Sequence, residues 1–232
     1  MPSLSQTMNR LKALGTAQNR KVYARHGAME PMFGVSFANL EATRKAIGTD
    51  HSLARRLWET RNMDAQNLAV MVADVAAFNT AELNRWARES QCSLVVDSFV
   101  KYVVQHVPVR YGKIEQWIQS SSENVSRAGW QTLATTAVHD PGLTDKRLRQ
   151  YLATIEAGIH GAKNRTKEAM NNALIAIGGR SPTLARTAIA TAKRIGPVDV
   201  DHGETYCKTP DAVSYIERMA KRARTKRVAG KK

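Results

Sequence analysis

The sequence predicts an all-α fold built from stacked helix pairs. Three observations lead there. Apolar residues recur at three- and four-residue intervals along most of the chain. Helix-capping residues, glycines and prolines punctuate those runs at short intervals. And only one stretch, Pro197 to Cys207, reads as a strand: Val198 and Val200 alternate with acids there, in a run too short to found a sheet.

Taken in order, Leu4 to Leu14 is a short amphipathic helix carrying Leu4, Met8, Leu11 and Leu14, and Gly15 ends it. Asn19 to His26 is a polar, basic helix. Gly27 to Phe37 is a loop whose Met32, Phe33, Val35 and Phe37 should tuck onto the core. Ser36 caps a helix to Ile47, and Gly48 suits the left-handed position after it. Asp50 begins the next, with Leu53, Leu57 and Trp58. Asp64 to Phe78 reads as one long apolar helix. Thr80 caps another, with Leu83 and Trp86, and the run from Ser93 to Val104 follows, closed by Pro108. Lys113 to Ile118 is a short helix, and Ser122 caps one through Trp130 and Leu133. Thr144 starts a helix to Ile159. Arg165 to Ile177 should stop at Gly178-Gly179. Ser181-Pro182 opens a helix that ends at Gly196, and Thr209-Pro210 repeats this signal before the last, Asp211 to roughly Ala223.

The first helices of successive pairs begin near residues 36, 64, 93, 123 and 165, three steps close to 30 residues and one longer. Such a loose period suggests a degenerate HEAT-like or armadillo-like helical repeat solenoid, an α-α superhelix forming one domain over residues 1–220. The alternative is an irregular helical bundle. Residues 221–232 hold seven basic residues and no acid, a tail expected to be disordered or a DNA-contacting arm.

Hydrophobic residues make up 43% of the chain, enough to bury a core and to exclude a disordered protein. The formal charge of +15 predicts an acidic partner, most simply nucleic acid. Two cysteines, Cys92 and Cys207, make no disulfide framework and suggest a reducing compartment. No run reaches the roughly 18 apolar residues of a membrane span, and the N-terminus lacks the apolar core of a secretory signal. A cytoplasmic monomer is expected, with no membrane partner.

Within Ser93 to Val104, nearly apolar all round, one carboxylate stands out. Buried without a partner, Asp97 would cost several kcal/mol, so it must be paired, protonated or open to a cleft. It either faces a basic groove or serves structurally, pairing with an internal arginine or capping a neighbouring helix.

Several blocks together resemble the AlkD-like DNA alkylation repair family. They are MFGVSFANLEATRKAIG (32–48), LWETRNMDAQNLAVMVAD (57–74), VVDSFV (95–100), and AMNNALIAIGGRSPTLARTAIATAKRIGPVDVD followed by GETYCKTP, through Pro210. The resemblance implies a HEAT-like solenoid that holds duplex DNA, damaged or branched, in a concave basic channel. In active members it implies hydrolysis of the N-glycosidic bond of cationic alkylated purines, N7-methylguanine and N3-methyladenine, without base flipping. A cationic base leaves neutral and needs no protonation, so one carboxylate can stabilise the oxocarbenium-like sugar and place a water. By resemblance Asp97 stands where the family has its catalytic aspartate, and Arg127 where it has a DNA-contacting arginine. The aromatic four residues before that aspartate falls on Ser93. A second active-site Trp falls on Asn172, and an Arg three residues on falls on Ile175. Trp130, on the helix face of Arg127, could supply one missing wall, or it is core. The family also holds members thought to bind unusual DNA structures rather than excise bases.

Lys101, Arg110, Arg127, Lys163, Arg165 and Lys167 would form a phosphate track if they share a face. The last three also stand at a helix entrance, where free N–H groups favour phosphate. The bland reading is scattered solvated charge. His202 and Cys207 lack the second pair that a zinc signature needs, so no metal or cofactor is expected. A protein- or RNA-binding solenoid with an incidental basic face is the reading from another class.

Overall fold

In a computed structural model the residues described are 2–229, and among them lie thirteen α-helices and no strand. The chain opens with α1 (Leu4–Leu14), where Ser3 and Gln6 form a capping box, and α2 (Ala17–Arg25). α3 (Phe37–Ile47) starts at the Ser36 cap and ends at Gly48, whose φ of 76° explains the glycine. There follow α4 (His51–Glu59), α5 (Met63–Val72), α6 (Thr80–Glu89), α7 (Ser93–Tyr102), α8 (Arg110–Trp117) and α9 (Glu123–Thr136). The remaining helices are α10 (Asp145–Gly158), α11 (Asn164–Arg180), α12 (Pro182–Ile195) and α13 (Ala212–Ala229).

The chain divides into two units, Met1–Ala128 with His202–Tyr206, and Gly129–Asp201 with Cys207–Lys232, the boundary falling inside α9. In unit 1, α5 packs against α3, α4 and α7. Its core is aromatic. Trp58 and Trp86 stack at 4.1 Å with their planes 3° apart, and Phe78 meets Trp86 edge-on at 4.9 Å. Phe99 of α7 lies within 6.4 Å of Trp58, Trp86, Phe78 and Trp117. Each such pair adds roughly 0.5–1.5 kcal/mol beyond area burial. In unit 2, α11 packs against α10, α12 and α13, and α12 packs against α10 and α13.

Several boundaries differ from the sequence reading, each for a physical reason. α5 stops at Val72 rather than Phe78, because Ala73 and Asp74 turn extended and the Val72 carbonyl accepts the Asp50 N–H at 2.8 Å. The caps of α6 and α13 are Asn79 and Asp211 rather than Thr80 and Thr209; their side chains accept the N–H groups of Glu82 and Ser214, at 2.8 Å each. α11 runs through Gly178 and Gly179 to Arg180. A Cβ on Gly178 would lie 2.6 Å from Ile216 Cδ1, and one on Gly179 would overlap Met219 Cε, so these glycines admit α13 instead of ending a helix. Phe37 is exposed rather than tucked in. α13 continues to Ala229, since no glycine or proline interrupts it before Gly230. The part of the predicted tail at 230–232 lies outside the described residues.

Candidate nucleic-acid interface

α7 is less uniformly apolar than its sequence suggests. Val95, Val96, Phe99 and Val100 are buried, while Ser93, Asp97 and Lys101, spaced four apart, form a narrow polar stripe. Asp97 is 36% exposed and engaged from below. Arg127 of α9 donates from Nε to Oδ1 at 2.9 Å and from Nη2 to Oδ2 at 2.7 Å. This two-point fork fixes the plane of the carboxylate. The Arg127 side chain is only 5% exposed. Cys92, at the start of α7, is also buried; burial pushes its thiol up, and the Asp97 charge adds to this.

Lys101 is exposed, its amine 4.9 Å from the Tyr102 ring centroid. It shares its neighbourhood with the last turn of α3. Arg44 chiefly, through its hydrogen bonds, and then the charges of Lys45 and Lys101 hold the Glu41 carboxyl below the usual range. Sequence reasoning missed Arg44 and Lys45; the signal was there, two adjacent cations in the last turn of a helix whose end is marked by Gly48. Arg110, on α8, is stacked on Tyr111 at 4.5 Å and donates to its hydroxyl at 2.9 Å. Also missed was Lys113, a buried lysine that donates to Asn84 Oδ1 at 2.8 Å and to Gln116 Oε1 at 3.0 Å, with burial pulling its amine below the usual range.

The other predicted residues belong to unit 2. Lys163 is the exposed residue preceding α11, Arg165 pairs with Glu168 at 3.4 Å, and Lys167 is half-buried. Trp130 is a core residue, 1% exposed and edge-on to Tyr151 at 6.4 Å, so it offers no free wall. Asn172 is half-buried and Ile175 buried. Asn171, next to Asn172, donates to the Pro210 carbonyl at 2.9 Å and ties α11 to the start of α13. His202 falls in unit 1 and Cys207 in unit 2, and no group of three His, Cys, Asp or Glu side chains among the described residues could hold a metal ion. No helix among them is long and apolar enough to cross a membrane. Unit 2 also has an apolar cleft of about 680 Å³, lined by Gly178, Gly179, Ile189 and Met219 with Arg186 and Lys221 at its edge.

Comparison with known proteins gives this arrangement a context. A solved structure described as "a new family of proteins related to the HEAT-like repeat DNA glycosylases with affinity for branched DNA structures" superposes with a TM-score of 0.87, at 26% identity, over 96% of each chain. The uncharacterized protein Lin0241 of Listeria innocua is 26% identical over 96% of this chain and 99% of its own length. Lmo0209 of Listeria monocytogenes, likewise uncharacterized, is 26% identical over 97% and 100%. The fold is thus a HEAT-like helical repeat. The family model described as DNA alkylation repair enzyme matches residues 7–216, nearly the whole chain, and the protein belongs to the DNA alkylation repair family.

Proposed function

We propose that this protein binds DNA, preferring branched or otherwise irregular DNA to linear duplex, and does not excise bases. The observation that carries this reading is the state of Asp97. Both its oxygens are committed to a buried guanidinium. That pairing occupies one lone pair on each oxygen and spreads the carboxylate charge onto the arginine, which weakens Asp97 as a partner for a developing oxocarbenium and a water. The positions that the resemblance assigns to site aromatics hold Ser93 and Asn172, which cannot wall a deoxyribose. The charge of +15, the exposed Lys101, whose charge acts on Glu41 together with those of Arg44 and Lys45, and the affinity for branched DNA of the related solved structure support the binding half.

In this reading Asp97 and Arg127 position the polar stripe of α7, and Lys101 meets phosphate. Lys163 and Lys167 serve as further phosphate contacts at the entrance of α11. The second reading, an alkylpurine glycosylase, is favoured by Asp97 being partly exposed.

One preparation tests both. Binding to a four-way junction and to a linear duplex is measured at two salt concentrations, and release of free N7-methylguanine from methylated duplex is followed for the wild type and Asp97→Asn. Expected are salt-dependent binding, tighter for the junction, and no release. Release that Asp97→Asn abolishes would establish the glycosylase instead.

A further inference from the structure

A second surface of unit 1, remote in sequence from Asp97, combines cations with exposed aromatics. Residues 1–29 contain Arg10, Lys12, Arg20, Lys21 and Arg25 and no acid. On α2, Lys21 and Arg25 are exposed and four residues apart, so they project from one face. The first acid, Glu30, is already engaged. Arg20 donates to it at 2.5 Å and the Met32 N–H at 2.9 Å, and these bonds, Arg20 first, hold its carboxyl below the usual range. It therefore offsets Arg20 and leaves the charge of Lys21 and Arg25 intact.

The apolar part is as marked. The large apolar side chains exposed among the described residues are Val22, Met29, Phe37, Val109, Tyr206 and Tyr215. Val22, Met29 and Phe37 come from α2 and the segment joining it to α3, and Phe37 lies edge-on to Tyr23 at 6.3 Å. Tyr206 is fully exposed. Single exposed aromatics are ordinary. This one ends a turn with a constructed seat. Gly203 has a φ of 65°, and a Cβ there would lie 2.7 Å from the Arg25 carbonyl oxygen. Only glycine allows His202–Tyr206 to lie so close against the last turn of α2. Thr205 closes the turn, its N–H donating to the Gly203 carbonyl at 2.7 Å and its hydroxyl to His202 at 3.0 Å. The chain thus returns from residue 201 to set the turn that carries Tyr206 against the last turn of α2, where Arg25 lies.

We infer that α2 and the His202–Tyr206 turn form a second DNA contact, in which Lys21 and Arg25 take phosphates and Tyr206 stacks on an unpaired base. The chemistry selects the ligand. Cations without an aromatic would bind any duplex. An exposed ring beside them adds energy only where a base face is free, as at a fork or a single-stranded arm, because paired bases are already stacked. Glu204, exposed in the same turn, opposes the phosphates and tempers the affinity.

This inference rests on the DNA-binding reading, and the test separates the two. Affinities of the full chain for a forked DNA with unpaired arms and for a linear duplex of equal length are measured by fluorescence anisotropy at one salt concentration. Tyr206→Ala should weaken fork binding at least about fivefold, leave linear duplex within twofold, and abolish the quenching of a 2-aminopurine placed in the unpaired arm. Tyr206→Phe should keep the wild-type values. Lys21→Glu with Arg25→Glu should weaken the fork about tenfold and lower the salt dependence. Unchanged fork affinity in Tyr206→Ala, or an equal loss in Tyr206→Phe, overturns the inference while the DNA-binding reading stands. A wild type that binds neither DNA overturns both.

Discussion

The two units hold their helices together by different means. Unit 1 buries charge: Asp64, Glu82, Lys113 and Arg127 all lie inside it. In unit 2 the buried polar side chains among the described residues are neutral, Thr132, Thr136, Thr166, Asn171 and Thr191, and close packing at Gly178 and Gly179 brings α13 onto α11. Buried charge is a costly way to fix a helix unless every lone pair is met. Close packing through glycine costs only helix propensity. Unit 1 therefore carries charges that packing alone does not call for, and it contains the carboxylate that the family resemblance singles out. The two aspartates on its apolar helices show how such charges separate. Asp64, at the start of α5, is wholly buried and accepts the N–H groups of Phe33, Gly34 and Val35 at 2.6, 3.0 and 2.8 Å, pinning the 31–36 segment. Asp97 takes its partner from a buried side chain and leaves one edge open to solvent. The first is a structural clamp, and the second is a held but accessible charge.

The largest effect expected is at the clamp. Asp64→Ala would strand three amide donors in the interior, and at about 1–3 kcal/mol each, partly relieved by loop movement, it should destabilise the protein by about 4 kcal/mol in urea unfolding. A loss under about 1 kcal/mol would erase the distinction between the two aspartates. Next comes an asymmetry within the Asp97–Arg127 pair. Asp97→Ala removes the carboxylate that neutralises a guanidinium only 5% exposed and should cost about 3 kcal/mol. Arg127→Met leaves a carboxylate that already faces water and should cost about 1 kcal/mol. Equal costs would mean that Arg127 is not buried in solution as it is here. In unit 2 the corresponding test is a pair of alanines. Gly178→Ala forces Cβ against Ile216 and Ala188 and should lose about 1–2 kcal/mol. Gly179→Ala meets only the flexible end of Met219, so helix propensity should leave it neutral or slightly stabilised.

These contrasts also mark what the sequence could show. Capping pairs such as Ser36 with Gly48 and Ser181-Pro182 with Gly196 located helix ends within a residue or two, because cap chemistry is local. Gly178-Gly179 misled for the opposite reason: whether a glycine ends a helix or admits a neighbour depends on α13, about forty residues later. The weight of Asp97 was legible from a lone charge in an apolar helix, and an internal arginine was one of the partners weighed for it. That Arg127 was that arginine was not legible, since the same residue type serves as phosphate contact or buried counter-ion and only burial decides. The seating of the His202–Tyr206 turn on α2 was not legible, since Gly203 sets it there through a backbone contact that has no sequence signature.

The smallest expected effect concerns a third carboxylate of unit 1. Burial pushes Glu82 up, but the hydrogen bonds and charge of Arg55, with His51 adding at 3.5 Å, outweigh it and hold the carboxyl below the usual glutamate range. Its folded pKa is therefore lower than its unfolded one. The stability it contributes is complete above the unfolded value, about 4.3, and is lost as pH falls through the folded value. Asp64 has the opposite sign. Burial raises its carboxyl against the pull of the Val35, Phe33 and Gly34 amides, so its contribution is largest in acid and fades as pH rises through the folded value. Unfolding followed from pH 6 to pH 3 should show wild-type stability falling with a slope that Glu82→Gln reduces. Because Arg55 is half exposed, the difference should be under about 1 kcal/mol. A slope that Glu82→Gln leaves intact would move acid sensitivity to the other carboxylates that arginine holds low, Glu30 beside Arg20 and Glu41 beside Arg44.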